Sequence, residues 1–144
     1  MILVDANILI YAVNADSVHH RAARAWLERQ LSTTTQIGFT WIALLAFLRI
    51  TTRRGVFLSP LSHEQAMGYV DEWLEQPFAH VVVPGERHWS ILRHLLAASG
   101  TAGNLTSDAH LAAMAIEHRA IVASTDSAFK RFRGIQHINP LDTA

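Results

Sequence analysis

Three aspartates stand where the chain can assemble a cluster of carboxylates. Asp5 ends the apolar run Ile2–Val4, and Asp126 follows the apolar run Ala120–Ala123. Asp108 lies in the first turn of a helical segment that follows a glycine-bearing loop. A short, wholly apolar run predicts a central strand covered on both faces, and ligands collect at the carboxyl ends of such strands. If the two strands are neighbours, the three acids converge on one crevice.

Carboxylates held this close repel one another unless a cation lies between them. Their hard oxygens suit Mg²⁺ or Mn²⁺, and such an ion activates water for attack on a phosphodiester. Each acid also has a plainer interpretation. Asp5 and Asp126 are turn or helix-capping residues in that view. Asp108 then only stabilises its helix N-terminus, by about 0.3–1 kcal/mol.

Strands and helices alternate along the chain, which predicts an α/β fold with a mostly parallel central sheet. The predicted strands are Ile2–Val4, Ile37–Phe39, His80–Val83, Ala120–Ala123 and Ile135–Ile138. Helical periodicity indicates helices over Ser17–Leu31, Trp41–Arg53, Ser62–Gln76, Glu86–Ser99, Asp108–His118 and Ser127–Phe132.

Several residues carry the signals of helix ends. Ser62 and Gln65 have the spacing of a capping box. Asn7 is predicted to cap a helical turn from Ile8, and Thr106 or Ser107 to cap the helix of Asp108, while Gly55 is predicted as a C-cap. The four tryptophans fall on apolar helix faces and are predicted to form core or dimer contacts; the helix of Glu86–Ser99 is expected to pack around Trp89, Leu92, Leu95 and Leu96.

The composition fits one globular domain over residues 1–144, with half the residues hydrophobic and 17% charged. The absence of cysteine excludes disulfide scaffolds, cysteine zinc sites and thiol nucleophiles. No apolar run is long enough to span a bilayer and no secretory signal is visible, so we expect a cytoplasmic protein without membrane contact. The net charge of zero gives no indication that the protein binds nucleic acid.

Three segments together resemble the motifs of PIN-domain nucleases. Residues 3–10, LVDANILI, look like the opening motif; residues 103–113, GNLTSDAHLAA, look like the central motif; and residues 123–129, ASTDSAF, are similar to the closing motif. Residues 131–141 look like the usual tail, so the resemblance covers nearly the whole chain. The small format matches the VapC-type toxins of bacterial toxin–antitoxin pairs.

This resemblance implies a Rossmann-like, three-layer fold and Mg²⁺- or Mn²⁺-dependent endoribonuclease activity, often on tRNA or rRNA. It implies a homodimer held inactive by a cognate VapB-type antitoxin. Asp5, Asp108 and Asp126 match the metal-binding acids of the family, and Asn7 matches its accompanying polar residue. Asn7, Thr125 or water would complete the surroundings of the ion.

Two positions depart from the family pattern. The family commonly places a Glu in the helix after the second strand, where this chain has Ala46, and an acid two residues after Asp126, where it has Ala128. The site therefore keeps three carboxylates at most, which favours one ion over two. The missing acids also leave open a PIN fold that binds RNA or an antitoxin without turnover.

Arginines offer a second hint, because 11 of the 12 basic residues are Arg. Arg49 and Arg53 are helical neighbours that suit RNA phosphates, although a solvated or antitoxin-facing role is equally compatible with the sequence. The nine histidines include no pair at the i, i+4 spacing of a helical zinc site.

Two other classes with acids at strand ends fit the sequence less well. A receiver-type phosphoacceptor domain needs an Asp after the mid-chain strand, where this chain has Pro84 and Gly85. A haloacid-dehalogenase-type phosphatase needs a second Asp at the position of Asn7.

Overall fold

A sheet of five short, parallel strands forms the centre of the computed structural model, which describes residues 1–142. Its spatial order is β3-β2-β1-β4-β5. The predicted α/β fold is confirmed; the predicted domain 1–144 includes Thr143 and Ala144, which lie outside the described residues. The strands are β1 (Ile2–Val4), β2 (Ile37–Thr40), β3 (Ala79–Val82), β4 (Ile121–Ala123) and β5 (Gln136–Ile138).

Helices cover both faces of the sheet. Leu3 and Val4 of β1 point to opposite faces and belong to two separate apolar cores. The first core holds residues of four helices: α1 (Ala6–Val13), α2 (His20–Leu31), α3 (Trp41–Thr51) and α4 (His63–Leu74). The second core holds residues of α5 (His88–Ser99), α6 (Thr106–His118) and the 3₁₀ turn Ser127–Arg131. A second 3₁₀ turn, Gly103–Leu105, leads into α6.

The central strands run parallel, which brings their carboxyl ends to one edge, and they pack closely. Gly38 of β2 lies between β1 and β3, and a Cβ atom there would collide with the side chains of Leu3 and Val82. Glycine at this position therefore allows the strands and their side chains to approach. No helix among residues 1–142 is long and apolar enough to cross a membrane.

One predicted cap is confirmed and three are wrong. Ser62 and Gln65 form the capping box at the start of α4. Asp5, not Asn7, caps α1, because the helix begins at Ala6, directly after the strand. Neither Thr106 nor Ser107 caps α6, because the preceding 3₁₀ turn already makes the chain helical there. Helix α3 ends before Gly55, with Thr52 as its C-cap residue.

The tryptophans divide into two pairs. Trp26 and Trp73 are buried in the first core, as predicted. Trp41 on α3 and Trp89 on α5 are 52% and 66% exposed. The prediction for α5 is therefore wrong for Trp89 and confirmed for its leucines: Leu95 is buried in the second core, and Leu92 and Leu96 are partly buried against it. An apolar residue on a helix does not by itself tell which face the neighbouring elements cover.

Candidate active site

Asp5 and Ser124 follow the two central strands and lie side by side at the carboxyl edge of the sheet. Val4 of β1 pairs with Ala123 of β4, and the Asp5 N–H donates to the Ala123 carbonyl at 2.9 Å. The two strands are therefore neighbours, which is the condition under which the sequence places the acids in one crevice. The residues that directly follow each of these strands therefore lie next to one another.

The carboxylate of Asp5 is held by three donors. It accepts hydrogen bonds from the Ala6 N–H at 2.8 Å, the Ser124 hydroxyl at 2.7 Å and the Asn7 amide at 3.3 Å. Burial raises the pKa of Asp5, the hydrogen bonds from Ser124 and Ala6 oppose this, and the charge of Asp126 adds to the rise. Asp5 is thus both the cap of α1 and an acid whose orientation is fixed.

Ser124 connects the aspartates and was not predicted as a site residue. Its fully buried hydroxyl donates to Asp5 and accepts from the Asn7 amide at 3.1 Å and from the Asp126 N–H at 3.0 Å. The amide oxygen of Asn7 accepts from the Thr125 N–H at 3.3 Å. Thr125 therefore joins this network through its backbone. Only its place directly after β4, on the same edge as Asp5, could have marked Ser124 in the sequence.

Asp126 and Asp108 complete the acidic edge. Asp126 is exposed, and its carboxylate accepts from the Ala128 N–H at 2.9 Å and so caps the following 3₁₀ turn. Asp108 lies in the first turn of α6. Burial, then the charges of Asp126 and Asp5, raise the pKa of Asp108 to about 6. The charges of Asp126 and Asp5 both act on Asp108, and the charge of Asp126 acts on Asp5, so the three predicted residues lie near one another.

A cavity of about 460 Å³ opens at this edge, between α3 and α6. Asp5 and Asp108 line it on one side and Arg49 on the other. Arg53 lies beyond the end of α3 and does not line it, although both arginines are exposed. Within residues 1–142 neither guanidinium forms an ion pair. Another groove, of about 250 Å³, lies between α2 and α4 away from the acids, so we assign the chemistry to the first.

The PIN domain family matches residues 2–135 of the chain. The chain belongs to the PIN-domain family. It is 48% identical to ribonuclease VapC37 of Mycobacterium tuberculosis over 140 residues, which cover 97% of each chain. It is 43% identical to ribonuclease VapC33 of the same species, over 98% of this chain and 99% of the relative. The VapBC2 structure from Rickettsia felis, bound to a promoter DNA fragment, has a TM-score of 0.71 at 22% identity, covering 96% and 98% of the two chains.

Two positions of this PIN domain at which the resemblance led us to expect an acid are alanines, Ala46 and Ala128. Ala46 lines the cavity beside Arg49, so the position of the family's usual Glu faces the site but carries a methyl group. Ala128 packs against the second core. Helix α3 contains no acidic residue that could take the place of this Glu.

The donors of this PIN domain suit a hard cation that keeps much of its water. Three carboxylates share the edge. Burial, and then the charges of Asp126 and Asp5, raise the pKa of Asp108, and a cation would offset the repulsion between the charges. No group of three acids or histidines in the described part of the chain surrounds one point closely enough to form a ready-made ligand set. Mg²⁺ commonly binds through one or two carboxylates plus water and phosphate oxygens, and these residues fit that mode.

The stability of the metal-free protein is expected to fall as the pH rises from about 4 to about 7. The native pKa of Asp108 is about 6 and its ordinary value is 3.8, so between them the native state binds a proton that the unfolded state has released. Stability from this proton is complete below the ordinary value and is lost as the pH passes 6. Urea unfolding in EDTA at pH 5 and pH 7 measures the difference. Asp108→Asn should lose less stability over the same interval; equal losses in both proteins would contradict the assignment.

Proposed function

We propose that this chain is a metal-dependent endoribonuclease, the toxin of a VapBC-type pair, which cleaves tRNA or rRNA in the cytoplasm. The observation that carries the proposal is the placement of three aspartates at one sheet edge: the Ser124 hydroxyl links Asp5 to the backbone of Asp126, and Asp5 and Asp108 line the same cavity. The chain's similarity to VapC ribonucleases over nearly its whole length supports it. A bound Mg²⁺ or Mn²⁺ would supply an activated water and offset the charge on the phosphate.

The residues of the chain divide the remaining work. Asp5, Asp108 and Asp126 would hold the ion, and Asp108 would have to be ionised to do so. Asn7 and Ser124 keep Asp5 in place through their hydrogen bonds. Arg49 faces the same cavity and binds a phosphate of the RNA substrate. Arg53 extends the positively charged surface along the RNA backbone. Arginine provides paired donors for this contact.

Two partners belong to the proposal besides RNA. The Rickettsia felis neighbour is a VapBC complex, which supports a VapB-type antitoxin as the partner of this chain. The exposure of Trp41 and Leu45 on α3, at 52% and 59%, supports a homodimer, because apolar side chains of this size on one helix face commonly mark an interface.

The first test is cleavage of total tRNA and rRNA by antitoxin-free protein in Mg²⁺, Mn²⁺ or EDTA. We expect cleavage that requires the metal and that is lost in Asp5→Ala, with folding of the variant checked by circular dichroism. Sequencing of the cut ends then identifies the substrate and the cleavage site.

A binding module without turnover is the second candidate. Ala46 and the lack of a ready-made ligand set in the described residues favour it. Equal behaviour of wild type and Asp5→Ala in the cleavage assay, together with retained binding of RNA or antitoxin, would establish this function instead.

A further inference from the structure

His137 lies in the middle of β5, the edge strand next to β4. Its ring Nε2 lies 2.9 Å from the backbone carbonyl of Ser124, to which it donates a hydrogen bond. The ring also packs against Phe129, with 5.6 Å between ring centroids. The side chain is half-buried, and in the sheet His137 pairs with Val122, two residues before Ser124.

Strand β5 binds both backbone polar groups of Ser124. The Ser124 N–H donates to the Ile138 carbonyl at 3.0 Å, and the Ser124 carbonyl accepts from the His137 ring. The first contact continues the parallel ladder. The second is supplied by a side chain at the point where the chain leaves β4 and turns towards Asp126. The imidazole therefore fixes the peptide that carries the buried hydroxyl.

That hydroxyl is the centre of the acidic edge. It contacts the Asp5 carboxylate, the Asn7 amide and the Asp126 N–H at 2.7, 3.1 and 3.0 Å. A rotation of the Ser124 peptide would change all three contacts together. Residues that orient metal-binding carboxylates through intermediate hydrogen bonds commonly alter metal affinity when replaced.

We infer that His137 is a positioning residue, which holds the Ser124 peptide and thereby sets the relative orientation of Asp5 and Asp126. The inference rests on the proposed metal-dependent function, although the geometry of the network does not. Within residues 1–142 the His137 ring forms no hydrogen bond or ion pair with a carboxylate, and its charge is the smallest of the causes that act on the pKa of Asp5, which it lowers. It acts through Ser124, and what it contributes is a donor at a fixed distance from β5.

Two substitutions separate the donor from the bulk of the ring. His137→Met keeps an apolar side chain against Phe129 but removes the donor, and His137→Gln places an amide N–H at a similar reach. We expect the Kd for Mn²⁺, measured by calorimetry, to rise about three- to tenfold in His137→Met and to stay within about twofold of wild type in His137→Gln. His80→Met is the matched control, since His80 is an exposed residue of the opposite edge strand β3.

A readout without metal separates this inference from the proposed function. The Asp126 N–H donates to the Ser124 hydroxyl, so its hydrogen exchange in EDTA should be faster in His137→Met and unchanged in His137→Gln. If wild type binds no Mn²⁺, the metal-dependent function fails and the exchange rates alone decide the role of His137.

A lower melting temperature in His137→Met with unchanged Mn²⁺ affinity and unchanged Asp126 exchange would overturn the inference and leave His137 as a support of β5 only. Should His137→Met fail to fold, His137→Asn replaces it, because its shorter amide does not reach the Ser124 carbonyl. His137→Asn is then expected to show the weaker Mn²⁺ binding and the faster exchange. Wild-type values in a folded His137→Asn would equally overturn the inference.

Discussion

Asp108→Asn is expected to lower the rate of metal-dependent RNA cleavage by on the order of a hundredfold or more. Without metal, the variant should be at least as stable as wild type at pH 7.5. The loss follows from the proposed function, because a neutral amide replaces a carboxylate that is proposed to hold the ion. The retained stability follows because burial and the charges of Asp126 and Asp5 already disfavour the ionised form of Asp108. Removing a charge that is destabilised by its surroundings does not weaken the fold.

Cleavage rates under single-turnover conditions and urea unfolding in EDTA measure the two effects on the same preparations. Asp71→Asn is the matched control, because Asp71 is an exposed acid on α4, outside the acidic edge. It should leave both the cleavage rate and the unfolding midpoint unchanged. Cleavage by Asp108→Asn at near the wild-type rate would remove Asp108 from the site.

Ser124→Ala is expected to give the second large effect, on stability and on metal binding together. The substitution leaves the Asp126 N–H and one Asn7 amide contact without an acceptor and removes a donor from Asp5. Leaving buried polar groups unpaired costs about 1–3 kcal/mol of unfolding free energy. Because Asp5 loses the contact that orients it, Mn²⁺ affinity should fall about tenfold or more.

Ser127→Ala provides the comparison, since Ser127 is an exposed serine in the adjacent 3₁₀ turn. It should change neither the unfolding free energy nor the Kd for Mn²⁺ beyond the error of measurement. If Ser124→Ala lowers the stability but binds Mn²⁺ as wild type does, the hydroxyl supports the sheet edge without positioning the carboxylates.

The sequence alone predicts the sheet and the place of the acids because both depend on local patterns. The apolar runs before Asp5 and Asp126 mark strands, and parallel strands bring their carboxyl ends to one edge. Asp108 is recognisable because an acid in the first turn of a helix follows a glycine-bearing loop. These features need no knowledge of which helices pack together.

The parts that escaped prediction depend on contacts between distant residues. Ser124 meets Asp5 across 119 positions of sequence, and His137 meets Ser124 only once β5 has paired with β4. The burial of α3 was equally hidden: Ala43, Leu44 and Phe47 face the core, whereas Leu45 is exposed. Since nearly every residue of that helix is apolar, its periodicity does not select a face.

The double role of Asp5 affects which inactive forms of the protein can persist under selection. Asp5→Ala loses the cap of α1, worth about 0.5–2 kcal/mol, as well as a proposed metal ligand. A lineage with this change would therefore yield less folded protein to sequester the proposed antitoxin. Asp108 has no capping contact, and its loss would leave a folded chain that still occupies its partner. Natural inactivation of a toxin like this one would therefore accumulate at Asp108 sooner than at Asp5, and silenced copies would continue to titrate antitoxin.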